Sequence, residues 1–165
     1  MRKMLLVLTV LVLLPAMAFA QFSVGPAAFV KSPVLLGQDV NIDDVNVNQF
    51  SFGANLRYRM GWFQAESLLL YSAGEVDSLD LYLDAGAALD ITIFTVSLGA
   101  GPNFTNNFEG SPARQAGLNT RLGADVQLGP VSVGTSYIMA LDITDRGFNV
   151  KTSSGLLGVH VLWSL

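Results

Sequence analysis

The chain reads as an all-β protein in which eight antiparallel strands run up and down and close into one barrel. Three observations carry that reading. Its residues are 51% hydrophobic and 13% charged, yet after residue 20 no apolar run approaches the ~20 residues that a spanning helix needs. Instead, apolar side chains alternate with small or polar ones along eight stretches, the period-2 pattern of strands with two unlike faces. The connections between those stretches also alternate in length. They are short after the second, fourth and sixth, and longer after the first, third, fifth and seventh.

Residues 1–20 have the make-up of a cleaved secretory signal. Met1-Arg2-Lys3 is positive, Met4 to Leu14 is apolar, and Ala18-Phe19-Ala20 is a small-residue cleavage site before Gln21. The apolar core is too short to span a bilayer, and Pro15 interrupts it. The expected mature domain is residues 21–165, which carry a net charge of −6 once Arg2 and Lys3 are removed from the total of −4. That is one domain's length. The absence of cysteine excludes a lipoprotein anchor and any disulfide framework. An acidic chain with scattered Lys and Arg is a poor nucleic-acid binder. Sixteen glycines favour a β-protein with turns.

The elements follow in order. The first strand is expected over Phe22–Val30, with Phe22, Val24, Ala28 and Val30 on one face. Pro26 shares that face and cannot donate a ladder hydrogen bond, so irregular pairing is expected there. The second, Gln49–Met60, sets Phe50, Phe52, Ala54, Leu56, Tyr58 and Met60 against Ser51, Gly53, Asn55, Arg57 and Arg59. Gly61 turns the chain into the third, Trp62–Ser72, where Phe63, Ala65, Ser67, Leu69 and Tyr71 oppose Gln64, Glu66, Leu68 and Leu70. The fourth, Leu79–Leu89, sets leucines and alanines against Asp80, Tyr82, Asp84, Gly86 and Ala88.

A short turn near Asp90 leads to the fifth, Ile93–Gly101, with Phe94, Val96, Leu98 and Ala100 on the apolar face. The sixth, Gln115–Leu128, opposes Leu118, Leu122, Ala124 and Val126 to Asn119, Arg121, Gly123, Asp125 and Gln127. Gly129-Pro130 is a tight-turn signal before the seventh, Val131–Leu141. The eighth runs from Gly155 to Leu165, with Leu157, Val159, Val161, Trp163 and Leu165 opposite Gly158, His160, Leu162 and Ser164. The long connections are expected over Lys31–Asn48, Ala73–Ser78, Pro102–Arg114 and Asp142–Lys151.

Which face meets lipid follows from the aromatic residues. With the apolar face outward, Phe22, Tyr58, Phe63, Phe94 and Trp163 gather at the short-turn end, and Phe50, Phe52, Tyr71 and Tyr137 at the other. Two belts with Ala, Leu and Val between them are what a bilayer with two interfaces requires. A soluble barrel has no reason to sort its rings by height. The expected fold is therefore an eight-stranded antiparallel up-and-down transmembrane β-barrel.

The inward face then holds Arg57, Arg59, Glu66, Asp84, Arg121 and Asp125. Eight strands leave a narrow interior, and unpaired buried charge is costly, so these six are expected to form an internal network that blocks the lumen. Higher up, the inward positions turn apolar at Leu68, Leu70, Tyr82, Ile138 and Leu156. These form either a hydrophobic plug or a pocket for an apolar small molecule.

Other motifs are weaker. His160 could be combined with Ser136 and Asp84 or Asp125 into a hydrolytic site, but no nucleophile motif accompanies it, and a structural histidine in the network is the expectation. Asp39, Asp43 and Asp44 lack calcium-loop spacing. Gly99-Ala100-Gly101 has no helix after it, and Asn103-Phe104-Thr105 is a sequon too common to carry weight.

The signal, the two belts, the alternating connections and the terminal strand together resemble the small eight-stranded outer-membrane proteins of the OmpA/OmpX/OmpW type. That family usually ends in Phe where this chain has Leu165. The resemblance implies residence among outer-membrane lipids and assembly by the barrel-assembly machinery through residues 155–165. It implies no cofactor and no bound metal. The expected function is a non-enzymatic, structural or surface-interaction role carried by outer loops, with 31–48 and 102–114 as the surfaces for a host or surface ligand. The alternative is a narrow channel for small hydrophobic compounds through the upper lumen, and a lipolytic or acyl-transfer enzyme ranks last.

Overall fold

The computed structural model describes residues 21–31, 50–73, 77–108, 114–144 and 147–165. The expected signal segment 1–20, the body of the first loop with Asp39, Asp43 and Asp44, and the tips of the other long loops lie outside the described residues. Eight strands follow in chain order: β1 (Gln21–Lys31), β2 (Phe50–Met60), β3 (Phe63–Ser72), β4 (Ser78–Ile91), β5 (Phe94–Asn107), β6 (Arg114–Leu128), β7 (Val131–Thr144) and β8 (Gly147–Ser164). Each pairs antiparallel with its sequence neighbour, and β8 returns to β1, so the sheet closes into a barrel. At the foot of the closure Ser23 faces Ser164, and the Leu165 N–H donates to the Phe22 carbonyl at 2.8 Å.

The lower hairpins are two-residue turns: Gly61-Trp62, Thr92-Ile93 and Gly129-Pro130. In each, the first residue has positive φ (58°, 61° and 65°) and the second does not, the type II′ pattern whose twist suits a hairpin. Glycine fills that position twice. Thr92, β-branched, holds it in the middle turn at a steric cost.

Two Gly-Pro steps interrupt the ladders. β1 stays paired to β2 through Gly25↔Asn55 and Pro26↔Ala54, while its pairing with β8 skips from Val24↔Trp163 to Ala27↔His160. β5 stays paired to β6 through Gly101↔Asn119 and Pro102↔Leu118, while its pairing with β4 skips from Ala85↔Ala100 to Tyr82↔Asn103. Proline has no N–H to donate on the interrupted side. The glycine before it lets the neighbouring strand come close: a β-carbon at Gly25 or Gly101 would collide with the carbonyl oxygen of Val161 or Leu83. The irregularity expected at Pro26 is present, and Pro102, read from sequence as the start of a loop, repeats it.

Strand lengths correct the loop boundaries. β5 continues through Asn107 and β6 begins at Arg114, so most of the expected 102–114 loop is sheet. β7 and β8 pair up to Thr144↔Gly147, with a register shift between Met139 and Ala140. The polar Asn and Thr residues of these extensions read as loop, but backbone pairing above an apolar wall needs no apolar side chain. The eighteen residues of β8 therefore far exceed the ten of β3.

Burial is inverted relative to a soluble protein. Leu69, Leu83, Leu98, Leu122, Val133 and Val159 are exposed on the outer face, whereas Arg57, Glu66, Asp84, Arg121, Asp125 and His160 are buried inside.

The Thr92 turn supplies the first prediction. Thr92→Gly removes positive-φ side-chain strain of about 1–2 kcal/mol and returns part of it as lost backbone entropy of about 0.5–1 kcal/mol. A net gain of roughly 0.5–1 kcal/mol in equilibrium urea unfolding is expected, and no gain would mean that the turn relaxes without strain.

Candidate functional site

The lumen is filled in layers, and its centre is ionic. Period-2 alternation on β2, β3, β4, β6 and β8 sends Arg57, Glu66, Asp84, Arg121, Asp125 and His160 inward, where their side chains come within ion-pair reach of one another. Arg57↔Glu66 and Glu66↔Asp84 are directly paired residues. Arg57 Nε donates to Glu66 Oε1 at 2.6 Å, and its Nη1 lies 3.1 Å from Asp125 Oδ1. Arg121 Nη1 forms an ion pair with Glu66 Oε2, and its Nη2 donates to Ser136 Oγ at 3.1 Å. Glu66 therefore bridges the two guanidiniums.

Neutral groups complete the layer. Asn55 Nδ2 and Gln64 Nε2 donate to Glu66 at 3.2 and 2.7 Å, Asn119 Nδ2 donates to Asp84, and Ser132 Oγ donates to Asp125 at 3.3 Å. His160 Nε2 lies 2.6 Å from Asp125 Oδ1 and 3.1 Å from Arg57 Nη2. Charge-assisted bonds of this kind are the strong ones, and they hold only while every partner stays.

Above the ions lies an apolar plug. Leu68, Leu70 and Ile138 are at most 2% exposed and cluster with Phe29 and Ala27, with Tyr82 and Leu156 packed against them. The five residues proposed from sequence as the wall of a lumen pocket thus pack into one cluster with Phe29 and Ala27. Two concavities of about 430 and 520 Å³ lie on the outer wall, the first lined by Leu56, Ala65, Leu83, Ala100 and Pro102, the second by Leu69, Leu81 and Phe104. The Arg121 guanidinium lies 6.0 Å from the centre of the Phe29 ring, which ties plug to ions. On top, Asp80 accepts from Ser72, Ser78 and Thr105, and Ser51 Oγ lies 2.6 Å from Ser72 Oγ.

Two assignments made from sequence need correction. Arg59 does not join the internal network. It lies at the lower rim, where its Nη2 meets Asp90 Oδ2 at 2.8 Å and the Asp90 side chain is 58% exposed. Tyr137 does not serve the upper belt as an exposed ring. It is 6% exposed, with its hydroxyl over Gly155. The rest of the belts are where alternation puts them. Phe22, Phe94 and Trp163 are exposed on the outer face at the foot, and Tyr58 stands 5.1 Å from Phe22 and 6.5 Å from Phe63. Phe50 and Phe52 stack at 6.3 Å near the top, with Tyr71 opposite Phe52.

Phe29 and Ala27 were missed as plug residues, although their odd positions on β1, opposite in parity to Phe22 and Val24, already pointed inward. Asn55, Gln64 and Asn119 were missed as ligands of the carboxylates because neutral amides on a polar face carry no distinguishing pattern. Of the residues weighed with His160, Asp125 meets its Nε2 and Ser136 accepts from Arg121.

No protein-family model matches the sequence, and no curated protein matches it significantly. Solved structures do match in fold. The N-terminal β-barrel domain of Pseudomonas aeruginosa OprF aligns with a TM-score of 0.56 at 15% identity, over 88% of this chain and 99% of that one. Neisserial surface protein A aligns at 0.53 and 18% identity, over 88% and 97%. Ail, the attachment invasion locus protein of Yersinia pestis, aligns at 0.53 and 15%, over 88% and 97%. All three are eight-stranded outer-membrane β-barrels, and the fold is the one they share with this chain.

The two kinds of ion pair should respond differently to truncation. Arg121→Ala leaves Glu66 short of a partner inside the lumen and should cost about 3–5 kcal/mol. Arg59→Ala, at the rim, should cost no more than about 1 kcal/mol. Equal losses in denaturant unfolding would mean that the central layer is hydrated like the rim.

Proposed function

We propose that this protein is an integral outer-membrane barrel with a structural or surface-interaction role, that its working surface is the outer loops, and that it is neither a conducting pore nor an enzyme. The observation that carries this reading is a lumen closed by an ion layer and an apolar plug inside a wall whose lipid-facing side is apolar. The ten and eleven residues of β3 and β2 match the ~9–11 that a tilted strand needs to cross a bilayer. The rings of Phe22, Tyr58, Phe63, Phe94 and Trp163 at one end, and of Phe50, Phe52 and Tyr71 at the other, suit two lipid–water interfaces.

Export by the 1–20 segment and recognition of residues 155–165 by the barrel-assembly machinery belong to the same reading. A host or surface ligand would meet the 31–48 loop and the 108–113 tip, to which the fifth connection is reduced. The neighbours named as a surface protein and as an attachment invasion locus protein favour that direction. The cluster of Phe29, Leu68, Leu70 and Ile138 in the upper lumen weighs against passage of small hydrophobic compounds there.

Fractionation tests the reading. Recovery in the outer membrane, extraction only by detergent and heat-modifiable migration are expected; recovery from the soluble periplasm overturns it. Leu83→Arg or Leu122→Arg should cost about 2–4 kcal/mol and impair assembly, while Asp43→Arg in the first loop should not. Reconstituted into planar bilayers, the protein should show no stable open state, and a steady conductance would sink the plugged-lumen account.

A further inference from the structure

We infer that the ion layer holds one buried water molecule between Gln64, Asp84 and Arg121, in a cavity on the β3–β4–β5 side of the lumen. β5 sends no long side chain into this layer. Its inward residues here are Ser97 and Gly99, and beside them lies a cavity of about 10 Å³, bounded also by Gln64, Glu66, Asp84 and Arg121. That is room for a single water.

Three buried polar atoms of residues that line it make no hydrogen bond: Gln64 Oε1, Asp84 Oδ2 and Arg121 Nη1. An amide flip does not relieve Gln64, because its Nε2 already donates to the Glu66 carboxylate. Arg121 Nη1 stands 3.9 Å from Asp84 Oδ2, too far for a direct bond. Its ion pair with Glu66 leaves it without a hydrogen bond of acceptable geometry.

The chemistry of the wall selects the occupant. A metal cation would face the Arg121 guanidinium, and an anion would face Glu66 and Asp84. A neutral molecule that both accepts and donates satisfies all three orphans, taking a proton from Arg121 Nη1 and giving one each to Asp84 Oδ2 and Gln64 Oε1. Three bonds are usual for a buried water.

Gly99 gains a reason from this. Its φ is not positive, and a β-carbon there would meet Asp84 Cβ at an ordinary 3.4 Å, so neither backbone nor packing demands glycine. What a side chain would take is the space of the water.

A high-resolution crystal structure of the detergent-solubilised protein tests the site directly. The expected result is one density peak within hydrogen-bonding distance, about 2.6–3.2 Å, of Gln64 Oε1, Asp84 Oδ2 and Arg121 Nη1. Empty density with these atoms bonded to one another overturns the inference, and so does a peak with the short distances of a metal ion. Unfolding of two variants supplies an independent reading. Gly→Ala in a strand ordinarily stabilises. Here Gly99→Ala should lower the unfolding midpoint by displacing the water, and Gly99→Ser, whose hydroxyl can replace it, should recover part of the loss. A Gly99→Ala barrel more stable than the parent overturns the inference.

Discussion

The β1–β8 ladder, from Ser23↔Ser164 up to Lys31↔Leu156, removes the last open edge of the sheet and in doing so fixes the width of everything inside. A sheet edge presents a row of unpaired N–H and C=O groups, and in lipid each one costs several kcal/mol. Closure is therefore the condition on which an apolar outer wall can exist. With eight strands it also leaves an interior that side chains fill. The Gly25-Pro26 step shows how strong the constraint is, because the ladder skips a few residues there yet resumes in register.

Filling that interior is a problem with an awkward solution. Alternation spends the apolar residues on the outside, so the inward positions fall largely to polar and charged side chains. Charges in a narrow lumen are tolerable only as a connected set, since a buried ion without its partner is far more costly than the pair is stabilising. Glu66 answers this by serving Arg57 and Arg121 together, with Asn55 and Gln64 on its remaining lone pairs. The layer draws on six strands, so it resists any slip in register that would separate its members. Phe29 and its apolar neighbours then seal the space above.

Strand parity and height have different origins, and the difference explains what could be read in advance. Which face a residue occupies depends only on its own strand and whether its position is odd or even. The alternation of Phe50 to Met60 therefore put Arg57 on the face opposite the rings, and the turn at Gly129-Pro130 was legible for a similarly local reason. Whether two inward residues meet depends on the stagger between strands and on the shear of the closed barrel, which no single strand records. Arg59, two positions from Arg57, shares its parity but falls to the rim, with Asp90 as its partner.

The sequence by itself determined the eight strands, their two faces, the inward placement of the charges and the sorting of most aromatic rings into two belts, because each follows from a period of two and from local turn chemistry. Tertiary structure was needed to show that Leu68, Leu70 and Ile138 cluster with Phe29, that Tyr137 is covered at Gly155, and that the sheet climbs to Asn107 and Thr144. Those outcomes rest on distances across a closed barrel and on backbone pairing above the apolar wall, where hydrogen bonds to the neighbouring strand, and not the character of the side chain, keep the chain extended.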